Sequence, residues 1–343
     1  MKIKTKIIFI VSSLLLVSCL LFLFVWQEIY LPKNPLGREK ILAIGKGEGL
    51  REISFDLEKE GLIKSRLFFR IYVLSKGVSK NLQAGNYSLS PSMTIPEITK
   101  KIVSGDVIKE KITILEGWNL KDIADYVENN NLGSKEELFQ ITGYPENQSG
   151  SKDYSDIFPF LKDKPTDTNL EGYIFPDTYE IQRNKETLET IIIKALKNFD
   201  KKLNSDLRQE IKSQNKTVFD ILIMASLLEK EVKTFEDKKI VSGILWKRRE
   251  HGWPLQVDAT LTYITGKKSS ELTKEDLELP SHYNTYKYSW IPGPICNPGL
   301  DSILAAIYPE KSDFWYYLST FDGKTIFSKT LEEHNLAKAK YLK

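Results

Sequence analysis

The sequence predicts an α+β protein: an N-terminal transmembrane helix, then a small α/β region, then a larger mixed α+β region built around one central buried helix. Three observations predict this. An uncharged apolar run fills residues 7–26. Between residues 41 and 114, short alternating segments interleave with helical spacings. From about residue 115 the helical patterns lengthen, and one of them, Thr217 to Lys233, is apolar all round in its middle.

The run from Ile7 to Trp26 is dominated by Ile, Leu, Val and Phe. A helix of about twenty residues spans the roughly 30 Å hydrocarbon core of a bilayer. Lys2, Lys4 and Lys6 precede the run and Glu28 follows it. The positive-inside bias therefore places residues 1–6 in the cytoplasm and the bulk of the chain on the outer face of the cell membrane. Trp26 and Tyr30 stand where interfacial aromatics belong. A cleavable signal would need a shorter apolar core ending in small residues. Leu16-Val17-Ser18-Cys19 also resembles a lipidation site at Cys19, but the run continues to Val25, so the expectation is an uncleaved single-pass anchor with Cys19 unmodified.

Residues 27–40, with Pro32 and Pro35, read as a linker. Ile41 to Ile44 is then a strand and Gly45 to Gly49 a turn, whose spacing fits no phosphate-binding loop. Leu50, Ile53, Leu57 and Leu62 space a helix, and Ser65 caps a second one running to Leu74. Gly85 to Leu89 reads as a strand, Ile95 to Val103 as a helix closed by Gly105, and Val107 to Leu115 as a strand. In the larger region, residues 115–343, helices are expected over Asn119–Asn129 and Ser134–Thr142. A loop follows at 143–168, then a long amphipathic stretch from Lys185 to Lys212, and helices over Thr217–Lys233 and Asp237–Arg249. Asp301 to Ile307 reads as a helix. Phe314–Leu318 and Thr325–Phe327 read as strands paired across Asp322-Gly323, and a last helix runs from Thr330.

Composition narrows the function. A net charge of +3 over 343 residues gives no footprint for nucleic acid. Two cysteines give no disulfide framework, and three dispersed histidines give no metal spacing, so neither a metal nor another cofactor is expected. The chemistry concentrates elsewhere. The buried helix ends in Glu229 and Glu231; Glu229 extends the face of Leu222 and Ala225, Glu231 that of Met224, Leu227 and Leu228. Periodicity does not choose between them. Burial and the negative end of a helix dipole favour a protonated carboxyl group, which is what a glycosidase acid needs. The bland alternative is two solvated glutamates where the helix leaves the core. Three polar clusters accompany them: Leu170 to Tyr179, Trp253 to Thr260, and Tyr283–Tyr286 with Gly293–Gly299. Aromatic faces with Asn, Gln and Asp suit a sugar-binding groove, although the same residues also serve turns.

Taken in order, these segments resemble the endolytic murein transglycosylases of the YceG-like family. The resemblance rests on Leu-Glu-Gly-Tyr-Ile-Phe-Pro-Asp-Thr-Tyr at 170–179, Ala-Ser-Leu-Leu-Glu-Lys-Glu at 225–231, Leu-Gln-Val-Asp at 255–258, Tyr-Asn-Thr-Tyr at 283–286 and Pro-Gly-Pro-Ile-Cys-Asn-Pro-Gly at 292–299. It spans nearly the whole chain and implies that the first glutamate of the second motif, Glu229, is catalytic. Val257 and Ala259 stand where relatives often carry Thr and Pro, beside but not at Gln256 and Asp258. The resemblance also implies a LysM-like subdomain over 41–114, and a catalytic domain over 115–343 that acts on peptidoglycan glycan strands beside the wall synthases.

The implied reaction cleaves the β-1,4 bond between N-acetylmuramic acid and N-acetylglucosamine without water, leaves a 1,6-anhydro-muramic end, and terminates elongation of a nascent strand. Because the muramic C6 hydroxyl is the nucleophile, one carboxyl group can serve both proton transfers where an ordinary glycosidase uses two. Gln256, Asp258, Glu171, Tyr173, Tyr283 and Asn284 are the expected substrate-binding residues, gathered with Glu229 in one open cleft. A water-using muramidase with Asp258 as second carboxylate, and a wall-binding scaffold with no turnover, are the alternatives.

Overall fold

The computed structural model describes residues 2–145, 150–182, 186–320 and 322–341, with side chains from residue 8 onward. The chain divides into two compact units, residues 1–110 with 180–186, and residues 111–179 with 187–343.

The first unit begins with α1 (Lys2–Tyr30). Its segment Ile8–Tyr30 has a mean hydropathy of 2.9 and is long and apolar enough to cross a membrane. The helix runs through Cys19, which is exposed, without a break. The Lys2, Lys4 and Lys6 side chains lie outside the described residues. Val25 and Ile29 pack on the globular part, and Phe24 meets Phe68 edge-on at 5.7 Å.

That globular part follows the sequence closely. β1 (Lys40–Ile44) leads to α2 (Leu50–Lys59) and α3 (Arg66–Ser75), and β2 (Gly85–Leu89) is followed by α4 (Ile95–Ser104). β1 and β2 pair antiparallel, from Lys40 opposite Leu89 to Ile44 opposite Gly85. The Ser65 hydroxyl accepts the Leu67 N–H at the start of α3, Thr94 and Glu97 form a reciprocal cap on α4, and Gly105 ends α4 in the left-handed region. Ile53, Leu57, Phe69, Val73, Tyr87, Ile98 and Ile102 close the core between the strands and helices.

β3 (Glu110–Ile114), which enters the second unit at Lys111, precedes α5 (Leu120–Asn129) and α6 (Lys135–Thr142), and pairs with β4 (Asp177–Ile181), which leaves that unit after Tyr179. α7 (Leu188–Lys202), α8 (Ser205–Ser213), α9 (Val218–Glu231), α10 (Phe235–Glu250), α11 (Asp258–Thr265) and α12 (Leu300–Ile307) follow. The antiparallel pair β5 (Tyr316–Ser319) and β6 (Thr325–Ser328) and the terminal α13 (Leu331–Tyr341) complete the unit. α9 is the central helix: Ile221 to Leu228 are all buried, and α8, α10, α11 and α12 pack around it.

Three expectations change. The stretch expected from Lys185, which lies outside the described residues, is two helices. Asn204 breaks it by accepting the Leu207 N–H as the cap of α8, and Arg208 donates back to the Leu203 carbonyl. β4 lies across the end of what read as a polar cluster. α11 also escaped periodicity, because Thr260, Thr262 and Thr265 make a poor helix sequence. Their hydroxyls donate back to the carbonyls of Val257, Asp258 and Leu261.

Candidate active site

Two consequences follow from where α9 ends. Residues two apart on a helix point about 200° apart, so Glu229 and Glu231 face different neighbours. Glu229 faces α10 and α12. Its Oε2 accepts hydrogen bonds from the Ser302 hydroxyl at 2.6 Å and the Gly299 N–H at 3.0 Å, and Lys238 Nζ stands at 3.4 Å. Both members of that ion pair are nearly buried, with 7% of the Lys238 side chain and 11% of the Glu229 side chain exposed. Oε1 carries no hydrogen bond among the described residues, and it is not one of the buried polar atoms left without a partner. One oxygen is therefore anchored, and the other is left without a partner on a side chain that keeps a little accessible surface.

Glu231 faces the opposite way. It accepts the Tyr317 hydroxyl at 3.0 Å, and burial, with the charge of nearby Asp258, pushes its carboxyl up to about 7. Asp258 accepts the Tyr286 hydroxyl. The segments around Asp258 and Tyr286 are tied together: Gln256 N–H donates to the Thr285 carbonyl at 2.9 Å, and Val257 N–H donates to the Thr285 hydroxyl at 2.9 Å. Gln256 is exposed in a left-handed conformation (φ 56°), and buried Arg248 reaches its Oε1 at 3.4 Å. The Asp258 charge acts on Glu231, two residues from Glu229.

The loop at 292–299 builds the Glu229 side of the site. Ile295 N–H donates to the Ser226 hydroxyl at 3.1 Å, one helical turn before Glu229, and Gly299 N–H then reaches Glu229 itself. Two Leu-Glu-Gly-aromatic segments dock on this loop, Leu115 to Trp118 and Leu170 to Tyr173. In the first, Gly117 N–H donates to the Asn297 carbonyl at 2.9 Å, and the Glu116 carboxylate lies against Gly299, where any side chain would overlap it. Burial and the Glu229 charge raise the Glu116 carboxyl above its ordinary value. In the second, Gly172 sits at φ 87°, where a side-chain carbon would come within 2.8 Å of Pro294.

Three of the expected groove residues have no surface to offer a sugar. Glu171 is 1% exposed; it accepts the Leu120 N–H at 3.0 Å and the Asn297 amide at 3.1 Å. Tyr173 is fully buried against Phe160 and Phe199. Asn284 is fully buried and holds the 277–286 loop through the Leu277 and Leu279 carbonyls. These three frame the site and do not line it. Glu229, Gln256, Asp258 and Tyr283 retain accessible surface, with Tyr283 packed on Tyr263 at 5.2 Å.

Sequence reasoning missed Glu116, Lys238 and Ser302. The repeated Leu-Glu-Gly-aromatic pattern could have found Glu116. A lysine on the stripe of Val241, Ser242 and Leu245 could have found Lys238.

Glu171 makes stability depend on pH. Burial pushes its carboxyl from 4.5 up to about 8, against the lowering pull of the Leu120 N–H. Below pH 4.5 both folded and unfolded chains hold the proton, so nothing is lost. As pH rises towards 8 the unfolded chain ionises first and stability falls, and above 8 the loss is complete, on the order of a few kcal/mol. Glu231 acts in the same sense over a narrower window ending near 7. The expected result is a thermal midpoint that declines between pH 5 and 8, with a shallower decline in Glu171→Gln; an unchanged slope in that variant would remove Glu171 as the cause.

The comparisons with known proteins agree with this architecture. The model of the YceG-like family matches residues 42–340. An endolytic murein transglycosylase of Bacillus subtilis is 34% identical over 306 residues, which cover 87% of this chain and 84% of that protein. One of Streptococcus pneumoniae D39 is 33% identical over 316 residues, covering 86% of this chain but 57% of its own length, so the chain spans little more than half of that relative. The crystal structure of a YceG-like protein from Listeria monocytogenes matches 88% of this chain and all of its own, with 35% identity and a TM-score of 0.57. With a match from the first strand to the last helix, carrying a glutamate anchored at the end of a buried helix, the chain belongs to the YceG-like family.

Proposed function

We propose that the protein is a membrane-anchored lytic transglycosylase that cuts peptidoglycan glycan strands at the N-acetylmuramic acid to N-acetylglucosamine bond, with Glu229 as its acid and base. The observation that carries this reading is the asymmetry of Glu229, with Oε2 tied to Ser302, Gly299 and Lys238 and Oε1 without a partner among the described residues. A carboxyl group fixed in this way presents one oxygen to the glycosidic oxygen without losing its orientation. Oε1 donates a proton to the departing C4 oxygen as the C1–O bond breaks. The resulting carboxylate then takes the proton of the muramic C6 hydroxyl as that oxygen closes on C1. No water is consumed, and the new chain end is a 1,6-anhydro ring. The name shared by the relatives from Bacillus and Streptococcus supports the same reaction.

Gln256, Asp258 and Tyr283 supply the polar and aromatic contacts to the sugars. Glu171, Tyr173 and Asn284 hold those contacts in place from beneath. α1 anchors the chain, with Lys2, Lys4 and Lys6 on the cytoplasmic side and the rest of the chain facing the wall, beside the synthases whose strands it would terminate. The compact unit of β1, α2, α3, β2 and α4 is the LysM-like part.

Glu116, beside Glu229, and Asp258, beside Glu231, keep a hydrolytic reading in view, since a muramidase needs a second carboxylate. The product decides. Full-length protein in detergent, given purified glycan strands, is expected to release fragments lighter by one water than hydrolysis would give. Fragments of hydrolytic mass would replace this reading with a muramidase, and intact strands would leave a wall-binding protein.

A further inference from the structure

The far end of α12 carries a second concave site. The N-terminal end of that helix meets Glu229 through Gly299 and Ser302. Its C-terminal end, about 12 Å away along an eight-residue helix, opens into a pocket of about 970 Å³ between α10 and the 307–312 segment. Gly243 lets the Glu310 backbone close onto α10, because any side chain there would collide with the Glu310 carbonyl.

The walls carry more lysines than carboxylates, with Lys216, Lys239, Lys247 and Lys311 against Glu250 and Glu310. Trp246 is anchored through its indole N–H to the Ala306 carbonyl at 3.0 Å, and Lys216 Nζ lies 4.0 Å from the centre of its ring. Lys247 Nζ lies 4.4 Å from the centre of the Trp315 ring and donates to the Ser312 carbonyl at 2.9 Å. Lys311 adds a third cation. None of these three lysines forms an ion pair among the described residues. The nearby Lys239 does, with Glu310 at 4.0 Å. Burial lowers the Lys216 and Lys247 ammonium groups from their ordinary values. Ser312 keeps a buried hydroxyl with no hydrogen-bond partner among the described residues. Four lysines against two glutamates leave the pocket with an excess of positive charge, and Lys216 and Lys247, half-buried and outside any ion pair among the described residues, are the cations an anion would meet.

We propose that this pocket is an exosite for the carboxylate-bearing peptide stems of the glycan strand, held by Lys216 and Lys247. Exposed Tyr308 and partly exposed Pro309 give the site an apolar wall, which suits a peptide with aliphatic side chains and carboxylates better than a uniformly charged phosphodiester polymer. The inference rests on the proposed strand-cleaving activity, and it adds a preference for strands that keep their stems.

The test compares the full-length protein with Lys216→Gln/Lys247→Gln, using strands that keep their stems and the same strands after an amidase has removed them. The variant should raise KM on stem-bearing strands about tenfold, with kcat unchanged and no effect on stripped strands, while Lys216→Arg/Lys247→Arg retains the low KM. Equal KM values for wild type and the glutamine variant on stem-bearing strands would overturn the exosite, and so would an equal rise on both substrates. If wild type cleaves neither substrate, the proposed activity fails, and titration with free stem peptide judges the pocket separately. Saturable binding lost in the glutamine variant supports the exosite, and no binding overturns it. Tighter binding of a glycerol-phosphate polymer than of stem peptide would assign the pocket to phosphate instead.

Discussion

Glu229→Gln is expected to lower strand cleavage by about 10³-fold or more while leaving the protein folded. General acid or base catalysis contributes about 10²–10⁴-fold per proton transfer, and here one group serves both transfers. The substitution separates chemistry from structure. The amide oxygen can take the place of Oε2 and accept from Ser302 and Gly299, so the end of α9 stays fixed. The amide nitrogen then occupies the open position and has no proton to give at the required acidity. Lys238 loses its partner, but Glu116 interacts with the same lysine, and without the repulsion from Glu229 it ionises more readily. The thermal midpoint should therefore fall by only a few degrees. Turnover within tenfold of wild type, in a variant with a native circular dichroism spectrum, would remove Glu229 as the acid. Glu231→Gln is the control and should lose far less. An equal loss would mean that the two carboxyl groups act together or that the acid is Glu231.

What was legible in the sequence, and what was not, divides along physical lines. The elements of the first unit were readable because each carries its own punctuation: Ser65 and Thr94 as caps, Gly105 as a stop, and strict alternation in Gly85 to Leu89. α9 was readable because an apolar stretch of that length has to be buried. The direction of a polar side chain was not readable. Glu171, Tyr173 and Asn284 look like groove residues in a string of letters, since aromatic and amide groups line grooves and stitch loops with the same chemistry. Which use is made depends on contacts between segments more than 100 residues apart, such as Glu171 with Asn297, and periodicity does not carry those.

The same limit applied to the two glutamates of α9. Spacing placed them on different faces, yet only the packing of α10 and α12 on one side, and of Asp258 and Tyr317 on the other, shows what each face meets. Lys238 and Ser302 had no motif to announce them. They contribute by reaching a carboxylate across a helix interface, from 9 and 73 residues away.

Asn297→Ala is expected to cost on the order of 3–5 kcal/mol of stability. The side chain is fully buried and every polar atom on it is used. Its Oδ1 accepts the Ile174 N–H at 2.9 Å, and its Nδ2 donates to the Trp118 carbonyl at 3.0 Å and to Glu171 Oε1 at 3.1 Å. Truncation leaves a buried N–H, a buried carbonyl and a buried carboxyl group each short of a partner, at about 1–3 kcal/mol apiece before water enters. For a domain of this size the thermal midpoint should drop by roughly 10 °C. Activity should fall with it, since Gly299, two residues on, supplies the N–H that anchors Glu229. Asn297→Asp separates size from hydrogen bonding: the volume is kept, but an oxygen replaces the amide donor and faces the Trp118 carbonyl and Glu171. That variant should therefore be no more stable than the alanine one at pH 8 and should recover as the pH falls and the carboxyl groups take up protons. A double-mutant cycle of Asn297→Ala with Glu171→Gln should show strong non-additivity, because both substitutions break the same bond. Additive losses, or a wild-type midpoint in Asn297→Ala, would show that the 115–120, 170–174 and 292–299 segments are held together by packing alone.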